Sequence, residues 1–222
     1  MTWLGYAGVF AAFLVTHSLP LRPRIRAGLA RLLGARGFGV VYSVLSVGML
    51  AMLIHAAGRA PFVMLWPMQP WHAHATQSGM LLVCIILALS IGRPNPFSFG
   101  GVRNDRFDPD RPGIVRVLRH PILAALVLWA GVHLLPNGDL AHVLLFGTLG
   151  GFAVVGHRLI DRRKQREMGV ETWTDLRDRT GRAPLVQPPL SWSVYILGLV
   201  TAGLIYIALS GLHPVVIGMP VG

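Results

Sequence analysis

Residues 140–166 read LAHVLLFGTLGGFAVVGHRLIDRRKQR, an apolar run that ends in a dense basic segment. The run is long enough to cross a bilayer, because a span needs about 20 mostly apolar residues. Lys and Arg directly after a span are typical of its cytoplasmic end, since the inserting chain resists carrying these charges across. The stretch therefore predicts a membrane-spanning helix whose C-terminal end faces the cytoplasm.

The same alternation runs along the whole chain, which has 20 Lys and Arg residues. Five lie between the first two apolar runs, six between the third and fourth, and eight between the fifth and sixth; the other loops contribute only Arg59. This asymmetry predicts a polytopic, all-α membrane helix bundle with both termini outside the cytoplasm. We predict a single domain over residues 1–222 and six spans, at residues 2–19, 38–57, 76–92, 121–135, 140–159 and 191–212.

Composition supports a membrane protein and argues against several other classes. Only 13% of residues are charged and the mean hydropathy is +0.57, whereas soluble domains average about 25% charged. The net charge of +11 sits at helix ends, where it favours anionic lipid headgroups over nucleic acid. The single cysteine, Cys84, excludes an intramolecular disulfide and metal sites built on Cys pairs. No basic residue precedes the first apolar run, which favours an uncleaved first helix over a signal peptide.

Histidine is the ionisable residue of the predicted spans, because all nine carboxylates lie outside them. Seven of the nine histidines fall within or at the ends of spans: His17, His55, His120, His133, His142, His157 and His213. A single one usually hydrogen-bonds a neighbouring helix, but several ionisable groups at membrane depth favour a functional site. Facing histidines in an apolar bundle suit a b-type haem.

Two cytoplasmic segments carry further candidates. The segment 113–121, GIVRVLRHP, places Arg116, Arg119 and His120 at the mouth of the fourth span, where they suit an anion such as a haem propionate or a phosphate. The plainer interpretation is a basic flank followed by Pro in the first helical turn. The loop 93–101, RPNPFSFGG, either caps a site or is an ordinary turn. We also predict an interfacial amphipathic helix at 22–36 and a short helix at 172–179 with a Thr-x-x-Asp cap.

Several of these motifs occur together in a fixed order. They are THS at 16–18, RPNP at 93–96, GIVRVLRHP at 113–121, WAGVHL at 129–134, NGD at 137–139, GH at 156–157 and DRR at 161–163. The combination resembles the NnrU family of bacterial membrane proteins over residues 17–184. The resemblance implies a place in the bacterial inner (cytoplasmic) membrane, with periplasmic termini, and a link to denitrification and nitric oxide metabolism.

The NnrU family is in turn similar to 15-cis-ζ-carotene isomerase, a membrane enzyme that carries haem b and acts when its iron is ferrous. By motif, this resemblance assigns catalytic and iron-ligating roles to His17 and His133. It assigns further cofactor-binding roles to His120, His157 and, more loosely, His55. It implies haem b as cofactor and a hydrophobic polyene as substrate. By depth in the membrane, His17 groups with His120 and His157, so we keep His120 as a reserve ligand.

Other functions stay open at this point. A weaker resemblance to the isoprenylcysteine carboxyl methyltransferases rests on Arg-His-Pro at 119–121 and a late cytoplasmic segment. That segment is Glu-rich in the methyltransferases, whereas here residues 162–167 read RRKQRE. The alternatives to a redox-gated isomerase are therefore a non-catalytic haem or nitric-oxide-linked partner in denitrification, a methyltransferase-like enzyme, and a membrane protein without a cofactor. The sequence does not indicate an oligomeric state.

Overall fold

The computed structural model describes residues 1–185 and 192–217, and this part of the chain is all-α. Its helices are α1 Trp3–Ser18, α2 Pro23–Ala57, α3 Pro70–Ser90, α4 Pro121–Leu134, α5 Leu140–Met168, α6 Val170–Arg182 and α7 Trp192–Ile217. Short 3₁₀ turns lie at Leu19–Leu21, Asn104–Arg106 and Gly113–Arg116. Helices α2, α3 and α4 each begin on a proline, which has no N–H to leave unsatisfied in the first turn.

Five helical segments are long and apolar enough to cross a membrane: Trp3–Leu21, Arg36–Ala57, Pro70–Ser90, Leu140–Met168 and Tyr195–Val215. In the most apolar window of each, at most 33% of the residues are buried inside the protein. Soluble proteins rarely expose contiguous apolar surface on that scale. These side chains therefore face lipid, and the prediction of a multi-pass membrane protein is confirmed.

The fourth predicted span is shorter than the others. Helix α4 has 14 residues, or about 21 Å of rise, against a hydrocarbon core of about 30 Å. It does not extend back along the chain, because His120 precedes a proline and lies outside the helical region at φ −118° and ψ 70°. Five of the six predicted spans thus have full length, and the fourth is the short one. The predicted start of the last span, Ser191, lies outside the described residues, and α7 begins at Trp192.

The two predicted surface helices form, with changes at their ends. Residues 22–36 are helical but continuous with the second span in α2, with a break at Gly34, whose φ of 73° suits glycine. The predicted helix at 172–179 extends over Val170–Arg182. The predicted Thr-x-x-Asp cap was wrong, because α5 ends at Met168 and α6 begins directly after Gly169, whose φ is 85°. Thr172 therefore falls inside the first turn of α6.

The chain forms two compact units, and the first comprises residues 1–66 and 138–145. Helix α1 packs against α2, and the Tyr6 hydroxyl donates to the Ala141 carbonyl oxygen at 2.8 Å. The Leu65 amide donates to the Gly138 carbonyl at 2.7 Å and the Leu140 amide to the Val63 carbonyl at 2.9 Å. The loops before α3 and after α4 therefore lie side by side, on one side of the membrane. Since α3 carries the chain away from that side, we expect α4 to bring it back.

The second unit comprises residues 67–137 and the described residues from 146 onward. Helix α3 packs against α4 and α7, and the Thr76 hydroxyl donates to the Val132 carbonyl at 2.8 Å. One core cluster joins α3 and α4 through Val83, Ile86 and Ala125. Another joins Phe97, Val115 and Trp173 below the start of α4. The single-domain organisation stays a prediction.

Candidate functional site

A buried polar network lies at the start of α4 and is centred on His120, which is 2% exposed. Its Nε2 lies 2.9 Å from Asp161 Oδ1, and its Nδ1 lies 3.1 Å from the Ser98 hydroxyl oxygen. Burial lowers the pKa of His120 below its usual value and outweighs the hydrogen bond to Asp161, which raises it. The neutral ring therefore donates from Nε2 to the carboxylate and accepts at Nδ1 from Ser98.

Asp161 binds a second partner, Arg119. The guanidinium donates from Nε to Oδ1 at 3.1 Å and from Nη2 to Oδ2 at 2.6 Å, which is the bidentate geometry of strong Arg–carboxylate pairs. One turn earlier on α5, the His157 ring lies 5.2 Å from the His120 ring. Its Nε2 is buried and has no hydrogen-bond partner among the described residues. A carboxylate just past the end of a predicted span thus binds two side chains, Arg119 and His120, and His157 lies against the second of them.

The loop 93–101 packs directly against this network. Asn95 is 4% exposed; its amide nitrogen donates to the Arg119 carbonyl at 3.0 Å, and its amide oxygen accepts from the Phe97 N–H at 3.0 Å. Gly101 has no room for a side chain, because a Cβ there would meet the Asn95 backbone at 2.8 Å. The loop therefore stabilises the start of α4 and positions the Ser98 hydroxyl against His120.

A basic cavity of about 180 Å³ lies beside the network. It is lined by the side chains of Arg116, Arg119 and Arg177, with Phe97, Thr180 and Gly181. The guanidinium carbons of Arg119 and Arg177 each lie 5.6 Å from the ring centre of Trp173, which is 3% exposed. Arg116 donates from Nε to the Ala183 carbonyl at 2.8 Å. Helix α6 thus forms one wall of the cavity and the segment before α4 the other.

His133 lies 13 positions beyond His120, about 20 Å along α4. Its Nδ1 lies 2.8 Å from the Trp129 carbonyl oxygen. A carbonyl oxygen only accepts, so Nδ1 carries the proton and Nε2 keeps its lone pair. The rings of Trp129 and Phe146 lie 5.2 and 5.3 Å away. In its neutral form, His133 therefore has one fixed tautomer, and its surroundings are aromatic.

His17 and His55 belong to the first unit. The Tyr42 hydroxyl donates to the His17 carbonyl at 2.8 Å and lies 3.3 Å from Nδ1 of the same residue. In the tautomer that donates from Nδ1 to this hydroxyl, Nε2 of His17 keeps its lone pair. His55 lies 13 positions beyond Tyr42, about 20 Å along α2. His17 and His55 are therefore at separate places in this unit.

The structure brings together four of the seven predicted site residues: Arg116, Arg119, His120 and His157. His133 lies apart from them in the same unit, and His17 and His55 belong to the other unit. Both ring nitrogens of His120 are engaged, so the structure does not favour it as a reserve ligand. Among the described residues, no group of three or more His, Cys, Asp or Glu is placed to hold a metal ion.

Sequence reasoning missed five residues of the site: Asn95, Ser98, Asp161, Trp173 and Arg177. Asp161 carried one available signal, since it is the carboxylate closest to the end of an apolar run and is followed by four basic residues within five positions. Trp173 carried another, because it is the aromatic residue of an otherwise polar helix. Neither signal indicates which partner the side chain meets.

The comparisons with known proteins give one result. A model of the family described as NnrU protein matches residues 6–221, nearly the whole chain. Neither the curated proteins nor the solved structures include a significant match.

Proposed function

Because the chain belongs to the NnrU family of membrane proteins, we propose that it is an inner-membrane protein with periplasmic termini that binds haem b through His133 and His17. The observation that supports this most is the tautomer of His133. A metal-ligating histidine almost always donates its other ring N–H to a carbonyl or carboxylate, which fixes the ring and raises its basicity. The Trp129 carbonyl accepts this hydrogen bond from Nδ1.

The donor set at His17 has the same form. Its Nδ1 is engaged by Tyr42 and its Nε2 is left with a lone pair. Two imidazoles with available Nε2 atoms are the donor set of bis-histidine haem. Arg116 and Arg119, which the sequence predicts to hold a propionate or a phosphate, lie beside His120, about 20 Å along α4 from His133, and are not assigned to the haem. When bound, haem would supply an iron that changes its oxidation state and accepts electron density from a ligand.

The reaction we propose is redox-gated cis–trans isomerisation of a polyene. Lipid-facing apolar helices give such a substrate access from the bilayer, and the rings of Trp129 and Phe146 beside His133 offer apolar contact. His133 and His17 would orient the cofactor. The alternative with the same cofactor is a non-catalytic haem partner in denitrification. The methyltransferase alternative is less favoured, because three arginines line the cavity where the Arg-His-Pro turn meets α6, and the sulfonium of S-adenosylmethionine is itself cationic.

The test is an absorption spectrum of the full chain, expressed with added haem precursor, purified in dodecyl maltoside, and recorded oxidised and dithionite-reduced. We expect a Soret band that shifts and sharpens on reduction and is lost in His133→Ala and in His17→Ala. His74→Ala, at an exposed histidine, is the matched control and should keep the band. A colourless wild-type protein, or an unchanged band in both ligand variants, would refute haem ligation by this pair.

Isomerase and partner are then separated with the haem-loaded protein. The reduced protein is incubated with a 15-cis polyene in detergent, and the products are resolved by chromatography. Conversion that requires dithionite and is absent in His133→Ala supports the isomerase. An unchanged polyene with haem bound favours the partner.

A further inference from the structure

We propose that the basic cavity between α6 and the segment before α4 is a phosphate-binding site. This inference goes beyond haem binding and does not depend on it, since no contact of His133 or His17 enters the argument. The ligand class is a phosphate group, carried either by a lipid headgroup or by a small soluble phosphate compound.

The first argument is charge. Three arginines are among the residues that line a space of about 180 Å³. Asp161 pairs with Arg119 but is shared with His120, while Arg116 and Arg177 have no carboxylate within ion-pair distance in the part of the chain that the structure describes. The neighbouring cation Arg179 pairs instead with Asp110. The cavity therefore keeps an excess of about two positive charges, which an anion would neutralise.

The second argument is that the arginines are positioned in advance. Arg119 is fixed by Asp161, Arg116 by the Ala183 carbonyl, and Arg177 by the face of Trp173. Arg177 is exposed, and its guanidinium carbon lies 5.6 Å from the ring centre of Trp173. Planar guanidiniums held in place are the preferred protein partners of phosphate, because each presents two parallel donors.

The third argument is shape. Pockets for drug-sized ligands hold about 300–1,000 Å³, so this cavity suits a single anionic group better than a nucleotide or a whole cofactor. Gly181 lines the cavity, and a Cβ built there would meet nothing within 4 Å. A longer side chain at this exposed position, which lines the cavity, therefore meets no clash with the protein. Buried Trp173 also has an indole N–H with no partner among the described residues.

Two kinds of variant test the site on the full chain in dodecyl maltoside at low salt. Arg177→Gln removes a cavity charge, and Arg179→Gln is its matched control, two positions along on the same helix and outside the cavity lining. Gly181→Leu adds a bulky apolar side chain to the lining of the cavity without changing the charge. Binding of inorganic phosphate and of pyrophosphate is measured by calorimetry. Lipid binding is measured by native mass spectrometry of the protein in phosphatidylcholine nanodiscs, with and without phosphatidic acid.

We expect wild-type protein and Arg179→Gln to bind alike, and Arg177→Gln to bind about tenfold or more weakly, since one charge-assisted contact to phosphate is lost. Gly181→Leu should lose binding while keeping the wild-type circular dichroism spectrum. Saturation by pyrophosphate assigns a soluble source, and retention of phosphatidic acid alone assigns a lipid source. Equal binding by Arg177→Gln and Arg179→Gln would overturn the site. A second result would also overturn the phosphate site: the wild type binds no phosphate, and Arg177→Gln loses the haem band. The anion held by these arginines would then be a haem propionate.

Discussion

Asp161→Asn is the sharpest single test of the polar network at the start of α4. The change keeps the shape of the side chain but removes its charge and replaces one acceptor by an NH₂ group. The Asp161 carboxylate now accepts from both Arg119 and His120, at 2.6 and 2.9 Å. An asparagine whose amide oxygen takes the place of Oδ1 still accepts from His120 Nε2 and Arg119 Nε, but without the negative charge, and its NH₂ group then faces the Nη2 donor of Arg119.

The magnitude follows from burial. The His120 side chain is 1% exposed and that of Asp161 is 17% exposed, so their hydrogen bond is shielded from water. A hydrogen bond to a charged group is worth about 1.5–3 kcal/mol. The Arg119 side chain is 36% exposed, and its ion pair adds at most about 1 kcal/mol. We expect Asp161→Asn to lower the free energy of unfolding by about 2–3 kcal/mol, which is about 4–12 °C in melting temperature for a domain of this size.

The assay is thermal unfolding in detergent, followed by tryptophan fluorescence at one fixed scan rate. Glu167→Gln is the matched control on the same helix, since Glu167 pairs with Arg163 and Lys164 but its side chain is 41% exposed. That variant should shift the melting temperature by no more than about 2 °C. Equal shifts in the two variants would refute the claim that Asp161 organises a buried network.

Two further predictions concern the helices around the site. Gly79→Ala should destabilise the protein by about 1–3 kcal/mol, because the added Cβ collides with Val132 where α3 packs on α4. Its control, Gly131→Ala, has open space at the new Cβ and should be neutral or slightly stabilising. Thermal unfolding compares the two variants, and equal effects would contradict the packing of α3 on α4. Although α4 has only 14 residues, it should cross the membrane. Single cysteines are introduced as Met64→Cys, Arg106→Cys and Asp178→Cys on a Cys84→Ser background. Position 64 reports the side on which α4 ends, because its neighbour Leu65 bonds to Gly138, and position 106 reports the side on which α4 begins. An impermeant maleimide added outside should label only position 64, and labelling of both 64 and 106 from one face would refute a crossing α4.

The sequence predicted the helices well because the signals for them are local. An apolar run of sufficient length followed by arginines specifies a span whatever lies next to it, and Pro23, Pro70 and Pro121 mark helix starts by their own geometry. Prediction failed where two local signals competed. Thr172 and Asp175 form a capping pattern, but the backbone reversal at Gly169 starts α6 earlier. The length of α4 was overestimated at its end, since hydropathy continues to Leu135 beyond the last helical residue.

The site was predicted only in part, because its key contacts join residues far apart in sequence. Arg119 and His120 were recognised from their position before Pro121, but their partner Asp161 lies 41 residues beyond His120. That pairing depends on how α5 packs beside α4, which hydropathy does not encode. Asn95 and Ser98 were missed for the same reason. The Pro-rich sequence predicts only a turn, and the partners of these two side chains, the Arg119 carbonyl and the His120 ring, lie more than 20 positions away.

The two regions proposed as sites obey different physical constraints, and this makes the two proposals independent. A charged group is costly at membrane depth, so Asp161 and the arginines lie at the end of the spans, where water and headgroups are near. A neutral histidine whose Nδ1–H is satisfied by its own helix costs little in apolar surroundings, so His133 is tolerated about 20 Å farther along α4. Removing a cavity charge with Arg177→Gln should therefore leave a haem at His133 intact. Likewise, His133→Ala should leave phosphate binding unchanged.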